Sequence, residues 1–458
     1  MSRLAYHKMT RRRLLKGAVL GFPVFAAGAL IGACAPAAAP VPTAKPEATK
    51  PQQTTGAPTQ APAKPAGTVT LETWTHFAGA NLEVLNQFLG EFKKDNADIE
   101  LNLVAVGAGE IQAKLLTAVA GGAPPDVYHL PGNIPPELAR DKVLAPLDDI
   151  VKLPVPILKA FDGATIREGR QYGIAVQGGL GAMAYNKDLL DAAGVTKVPD
   201  TWDELVDAGL KVTKAGQGQW GIAFPNAGDS NTAGQVRSLL MAAGSDVMTP
   251  DLKQPAFNTP EMLETFQFGV DLVQKYKVNP QKSYAQLQTY NDYTTGKFGA
   301  CMLFPAWLLQ LKTGKFKTVT AEMPKRKTRG TAFAGNYWTL LAAVKDPGKQ
   351  QAFSRLVAWW TDPKNNSRWC AATYGLPTTE ATVKTDVYQK FLKEDPNAKA
   401  FVDSMAYASA TPPVIGISGV LLALARAWEA AVLGNTAPKD ALAAGQKEAA
   451  DALAKAQR

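Results

Sequence analysis

From residue 68 onward the sequence predicts an α/β fold in two lobes, and three features carry that expectation. Strand and helix patterns alternate over residues 68–130, an order that demands parallel pairing with helical crossovers. A second α/β series begins near residue 171. About 390 residues follow a Pro/Ala-rich stretch, more than one core usually carries.

The elements can be justified in order. TVTLETWT (68–75) alternates Val69, Leu71 and then Trp74 as a strand does, and NLEVLNQFLGEFKKDNAD has Leu82, Leu85, Phe88, Leu89 and Phe92 at helical spacing. IELNLVAVG reads as a second strand, EIQAKLLTAVAGG as a helix stopped by paired glycines, and Asp126 to Leu130 as a third strand. Parallel sheets place their working loops at the carboxyl ends of the strands, here Trp74 to His76, Gly107 to Gln112 and His129 to Asn133.

QYGIAVQGGLGAMAYNKDLL is extended and runs into a helix. TWDELVDAGLKV opens with a capping box, Thr201 and Glu204. NTPEMLETFQFGVDLVQKY opens with Thr259 and Pro260 at N-cap and N1, with Met262, Leu263, Phe266, Val270 and Val273 expected as one apolar stripe. KFGACMLFPAWLLQLK is a strand turning through Pro305 into a helix, FAGNYWTLLAAV is a buried strand, and the last hundred residues are mostly helical. No repeat of solenoid period is visible.

The start of the chain reads differently. TRRRLLKGAVLGFPVFAAGALIGACAPAAAP (10–40) joins a basic cluster to a short apolar run, the layout of a signal peptide. Its arginine cluster resembles a twin-arginine export signal, and Ile31-Gly32-Ala33-Cys34 resembles a lipobox. Residues 1–33 are therefore expected to be a signal peptide, Cys34 the lipidated mature N-terminus, and 34–67 a Pro-stiffened leash too polar and small-residue-rich to bury a core.

The net charge of +9 belongs mostly to that leader and leash. Residues 68–458 hold 40 Lys/Arg against 39 Asp/Glu, which leaves no basic footprint for a nucleic acid. Only Cys301 and Cys370 remain there, and both are expected to be free thiols.

Six segments in order, among them AYNKDLLDAAGVTKVPDTWDEL, PAFNTPEMLETFQFGVDLVQKYKVNP, FGACMLFPAW and YGLPTTEATVKTDVYQKFL, resemble the extracellular solute-binding proteins, family 1, of bacterial ABC importers. The resemblance runs over nearly all of residues 68–458 and covers maltose-type and glycerol-phosphate binders. It implies the type II periplasmic-binding-protein fold: two discontinuous lobes (68–176 with 331–380, and 177–330 with 381–458), a hinge and an interlobe cleft. It further implies a monomer held to the membrane by its lipid, a small carbohydrate as ligand, an ABC permease as partner, and no cofactor, metal or nucleic acid.

Sugars present hydroxyl rims and apolar faces, so their clefts need flat rings and fixed polar groups. Trp307 matches a stacking position of sugar-binding relatives; Trp74, Asn336, Tyr337 and Trp338 are further candidates, with core packing the competing role of each aromatic. Strand alternation turns one of Tyr337 and Trp338 to the core. His76, Glu110, His129, Asn133 and Gln177 match places from which relatives contact ligand, and Tyr374 matches a shifted family tyrosine. Asp126 is read as a turn or capping residue.

The chain also departs from its relatives. Ile111, His129 and Gly375 stand where glycerol-phosphate binders place tyrosine or acidic groups, and Val420 and Leu421 where maltose-type binders add an aromatic. The first departure disfavours glycerol phosphate, and the second argues for a smaller or differently posed saccharide. Binders of glycerol phosphate, a polyamine or a metal, and a secreted carbohydrate-active enzyme, are the competing readings. The last is weakened because no Gly-x-Ser-x-Gly elbow occurs and no motif pairs two carboxylates.

Overall fold

The computed structural model describes residues 67–107, 110–312 and 314–457. The signal-peptide reading, Cys34 and the leash up to residue 66 lie outside the described residues. β1 (Val69–Thr75), α1 (Gly79–Asp95), β2 (Ile99–Ala105), α2 (Ile111–Ala120) and β3 (Val127–Gly132) follow in the expected order. Then come β4 (Ile174–Leu180), β5 (Ala182–Asn186), α3 (Trp202–Val212), β6 (Trp220–Ala223), α4 (Ser230–Ala243), α5 (Pro260–Val270), β7 (Phe298–Leu303) and β8 (Thr318–Ala321). The chain closes with β9 (Thr331–Leu340), α6 (Pro347–Thr361), α7 (Pro363–Thr373), β10 (Ala408–Ala410), α8 (Ile417–Val432) and α9 (Pro438–Ala456).

Two sheets organise these elements. The first runs β10-β9-β3-β1-β2, with β4 also on β9; β1 is parallel to β2 and β3, and β9 antiparallel to β3 and β4. The second runs β8-β5-β7-β6. Three connections leave the first sheet or enter it: Gly181 between β4 and β5, residues 322–330 between β8 and β9, and residues 411–416 between β10 and α8. Two buried clusters correspond, one rich in aromatics around Phe88, Trp338, Trp360 and Trp369, the other around Trp202, Phe266, Met302 and Trp428.

Local chemistry explains the element ends. Thr201 Oγ1 accepts from Glu204 N at 3.2 Å and the Glu204 carboxylate accepts from Asp200 N at 2.7 Å, so two orphan donors at the start of α3 are satisfied together. Thr259 caps α5 the same way, accepting from Met262 N at 3.2 Å ahead of Pro260. Gly121 and Gly122 end α2, the latter at φ +75°. Asp126 accepts from Glu72 N at 2.9 Å and pairs with Lys349 at 2.7 Å, locking β3 to β1 and α6.

Two expectations are corrected. On β1 the buried face is Leu71, Thr73 and Thr75, while Trp74 lies on the opposite, part-exposed face. The threonines tolerate burial because Thr73 donates to Leu71 O and Thr75 Oγ1 bonds His129 Nδ1 at 2.9 Å. The α5 stripe keeps Met262 and Phe266 but leaves Leu263 exposed, and a π-helical turn at Asp271–Lys275 shifts the register before Val273 is buried.

Candidate functional site

A cavity of about 310 Å³ lies where the first sheet's loops meet helices of the second core. Its first wall is the end of β3 with Ile111 and Gln112 at the start of α2; its second is Ser230 at the start of α4, then Thr411, Ile417, Ser418 and Leu421. Its apolar lining is aliphatic apart from Tyr128, and among the described residues no Asp or Glu lines it. Ile111 and Leu421, two of the positions at which the chain departs from its relatives, stand in this lining.

Asn133 is the polar centre. Its Nδ2 donates to Phe333 O at 3.3 Å and to Thr411 Oγ1 at 2.9 Å, which fixes the amide's orientation. Its Oδ1 is buried and accepts nothing. Among the described residues Arg167 is the one charged residue of the lining, and all five of its N–H groups reach backbone carbonyls, of Ile134, Gly163, Ala164 and Ile166. Burial lowers its pKa to about 10. The guanidinium thus braces the β3 loop and has no donor left for a guest.

The remaining candidates separate into groups. β1 and β9 bring His76 and Asn336 close, although 260 positions separate them in the chain; the Asn336 side chain acts to raise the His76 pKa, and His76 Nδ1 lies 3.1 Å from His129 O. Trp307 is part-exposed in the turn after β7, held edge-on by Tyr290 at a ring separation of 4.7 Å. Trp74 is part-exposed as well. Glu110 sits on the surface, paired with Lys114 at 2.8 Å, which lowers its carboxyl pKa.

Five candidates are buried. Tyr337 and Trp338 are each 0 % exposed, a correction to the expectation that one of them faces the cleft. They do point to opposite faces of β9, but Tyr337 meets Phe161 and Trp338 meets Trp360, so both faces are covered. His129 packs on Trp338 at 4.5 Å. Gln177 accepts from Thr373 Oγ1 at 2.9 Å and packs against Gly375. Tyr374, in the left-handed region at φ 59°, donates to Asp395 beneath the Lys312 ammonium, so it too lies away from the cleft. Gln112 ends a loop that the sequence marks as a working loop, whereas Tyr128, Arg167, Ser230, Thr411 and Ser418 are polar lining residues that sequence reasoning did not single out. Ser230 alone had a local signal, the capping Asp229 before it.

The buried His129 and the part-buried His76 give the fold a pH dependence. Desolvation lowers the His76 pKa from 6.5 to about 4, and desolvation with the neighbouring His76 holds that of His129 well below the ordinary value. In the unfolded chain both take protons near pH 6.5 while the folded forms resist, so their stabilisation is complete above about pH 6.5. As pH falls from 6.5 toward 4 it is lost, at roughly 1 kcal/mol per pH unit for each group. The urea midpoint is expected to drop between pH 7 and pH 5, and His76→Asn to flatten that drop; an unchanged slope in the variant contradicts the assignment.

Comparison with known proteins agrees with this architecture. A profile described as bacterial extracellular solute-binding protein matches residues 79–367. A binding protein of Brucella abortus (strain 2308) is 22 % identical over 80 % of this chain and 88 % of its own. The arabinooligosaccharide-binding protein of Halalkalibacterium halodurans is 26 % identical over 53 % of this chain and 55 % of its own. An ABC-transporter solute-binding protein from Thermotoga lettingae, solved with α-D-tagatose bound, superposes with a TM-score of 0.74 at 22 % identity, over 84 % of this chain and 99 % of its own. Two α/β lobes with a cleft between them are therefore the fold of this chain, and the chain belongs to the bacterial extracellular solute-binding protein family.

Proposed function

We propose that the chain is the receptor of an ABC importer: it captures a small, uncharged carbohydrate in the cavity around Asn133 and hands it unaltered to a membrane permease. One observation carries the choice of ligand. The cavity offers a buried, unpartnered carbonyl oxygen on Asn133 and hydroxyls on Ser230, Thr411 and Ser418, with no carboxylate and no free cationic donor. Such a lining matches hydroxyls and rejects a polyamine, which wants carboxylates, and a phosphate, which wants free N–H donors. Two relatives named or solved with sugars point the same way. A volume of about 310 Å³ sits at the small end of ligand pockets, in keeping with a mono- or disaccharide.

In this reading binding is the whole activity, with no chemical step; Trp307, His76 and Asn336 lie outside the lining of this cavity and would reach the ligand only on closure. Closure occurs about Gly181, residues 322–330 and residues 411–416, because the ligand touches both walls only when they approach. A lipid on Cys34 and the leash would hold the receptor at the outer face of the cytoplasmic membrane and raise its concentration at the permease.

The test is a thermal-shift panel of mono- and disaccharides, glycerol phosphodiesters and polyamines, followed by calorimetry. A neutral sugar is expected to stabilise the protein by about 2.7 kcal/mol at a hundred times its dissociation constant. Asn133→Ala should weaken that sugar about tenfold, since one buried acceptor is lost. Stabilisation by a polyamine and by no sugar overturns the reading.

A further inference from the structure

We propose that the groove between α3 and α5 docks a cationic amphipathic helix of a partner protein. Asp203, Val206, Asp207 and Leu210 recur on α3 at i, i+3, i+4 and i+7 and so share one face. Glu264, Gln267, Phe268 and Asp271 repeat that spacing along α5 and the first residue beyond it. The two stripes wall one groove of about 390 Å³, floored by Val206, Leu210, Phe268 and Tyr276 and rimmed by carboxylates from both sides. Leu210 is 47 % exposed, an apolar side chain with no cover.

The chain's own Arg326 shows what such a groove accepts. Its guanidinium lies 2.7 Å from Glu264 and 3.7 Å from Asp203, bridging the two walls, with its carbon 5.9 Å over the Trp202 ring. One helical turn further along, no cation bridges the walls. Asp207 has no hydrogen-bond or ion-pair partner among the described residues, and Asp271 holds Gln267 at 2.7 Å and Lys275 at 3.8 Å. Trp202 lines the groove at 2 % exposure, and its buried indole N–H has no acceptor. The open turn therefore wants a cation for Asp207 and an apolar side chain for Leu210 and Phe268.

A helix meets those needs better than the alternatives. Eight residues along each wall, seven helical rises, give a trough about 10 Å long, two turns of a third helix. A peptide strand would need an unpaired sheet edge, and both walls here are helical. A small cation would satisfy the carboxylates and leave Leu210 uncovered. The proposal does not depend on what the cleft binds.

The experiment uses the full chain, a labelled synthetic amphipathic Leu/Lys helix as probe, and hydrogen exchange to locate it. Saturable binding is expected, with protection confined to residues 202–212 and 260–276. Asp207→Lys and Leu210→Glu should each weaken it about tenfold, while Asp149→Lys on another exposed surface and the response to the sugar panel stay unchanged. The proposal is overturned by an absence of saturable binding up to millimolar peptide, by equal weakening in Asp149→Lys, or by protection elsewhere. It is equally overturned if spermidine alone reproduces the protection, or if the chain self-associates through the same helices.

Discussion

Arg237→Met is expected to destabilise the protein by about 3–5 kcal/mol, because it strips the partners from a buried charge network and leaves them in place. Arg237 is 1 % exposed on α4. It holds Asp246 through a two-pronged pair at 2.7 Å, and donates to Ser409 O at 3.0 Å and Ala410 O at 2.8 Å on β10. One side chain of the second core thus grips an edge strand of the first sheet. Methionine fills similar volume and supplies no donor, so both carbonyls and the carboxylate lose their partner at once. Arg237→Lys should recover less than half of the loss, since a single ammonium cannot reproduce the planar fork. The next residue but one, Thr411, is the hydroxyl that orients Asn133, so loosening β10 should also weaken sugar binding. Denaturant unfolding and calorimetry check both effects; a loss below about 1 kcal/mol in the methionine variant would show the network to be dispensable.

The elements that sequence reasoning placed well are those whose signals are local. Thr201 and Thr259 announce helix starts through bonds that span three residues, and the alternation of strand and helix from 68 to 130 leaves little choice of pairing. The site was harder to read because its parts are not local. Asn133 and Gln112 were reachable, as they lie in loops after parallel strands, but Ser230, Thr411 and Ser418 come from three loops or helix starts joined only by the tertiary fold. Tyr337 and Trp338 show the opposite difficulty. Alternation tells that they point to different faces, and cannot tell that β9 has covering elements on both. Burial of His129 and Gln177 follows the same cause: their strand neighbours bring packing partners from more than fifty residues away.

Two connector glycines should respond very differently to a single added methyl, and the difference locates the stiff side of the hinge. At Gly330 a Cβ would stand 2.4 Å from Met241 Cβ, 2.6 Å from its backbone carbon and 2.8 Å from Ala242 N. Those atoms belong to α4, whose Ala242 O also accepts from Lys327 N and Thr328 N, so neither helix nor connector can retreat without breaking those bonds. Gly330→Ala is therefore expected to cost about 3 kcal/mol, the upper range for overpacking. At Gly181 the nearest atom is Met302 Cε at 1.9 Å, the far end of a flexible thioether. That side chain can swing aside, and Gly181→Ala should cost about 1 kcal/mol. Yet Gly181 O accepts from Thr331 Oγ1 at 2.7 Å, so the two connectors move as a pair. If, of the connector 322–330, only its junction with Thr331 bends, alongside Gly181 and residues 411–416, Gly330→Ala loses stability while the protein that remains folded binds sugar normally. Gly181→Ala keeps most of its stability and changes the affinity. Equal stability losses in the two variants would place the rigid boundary elsewhere.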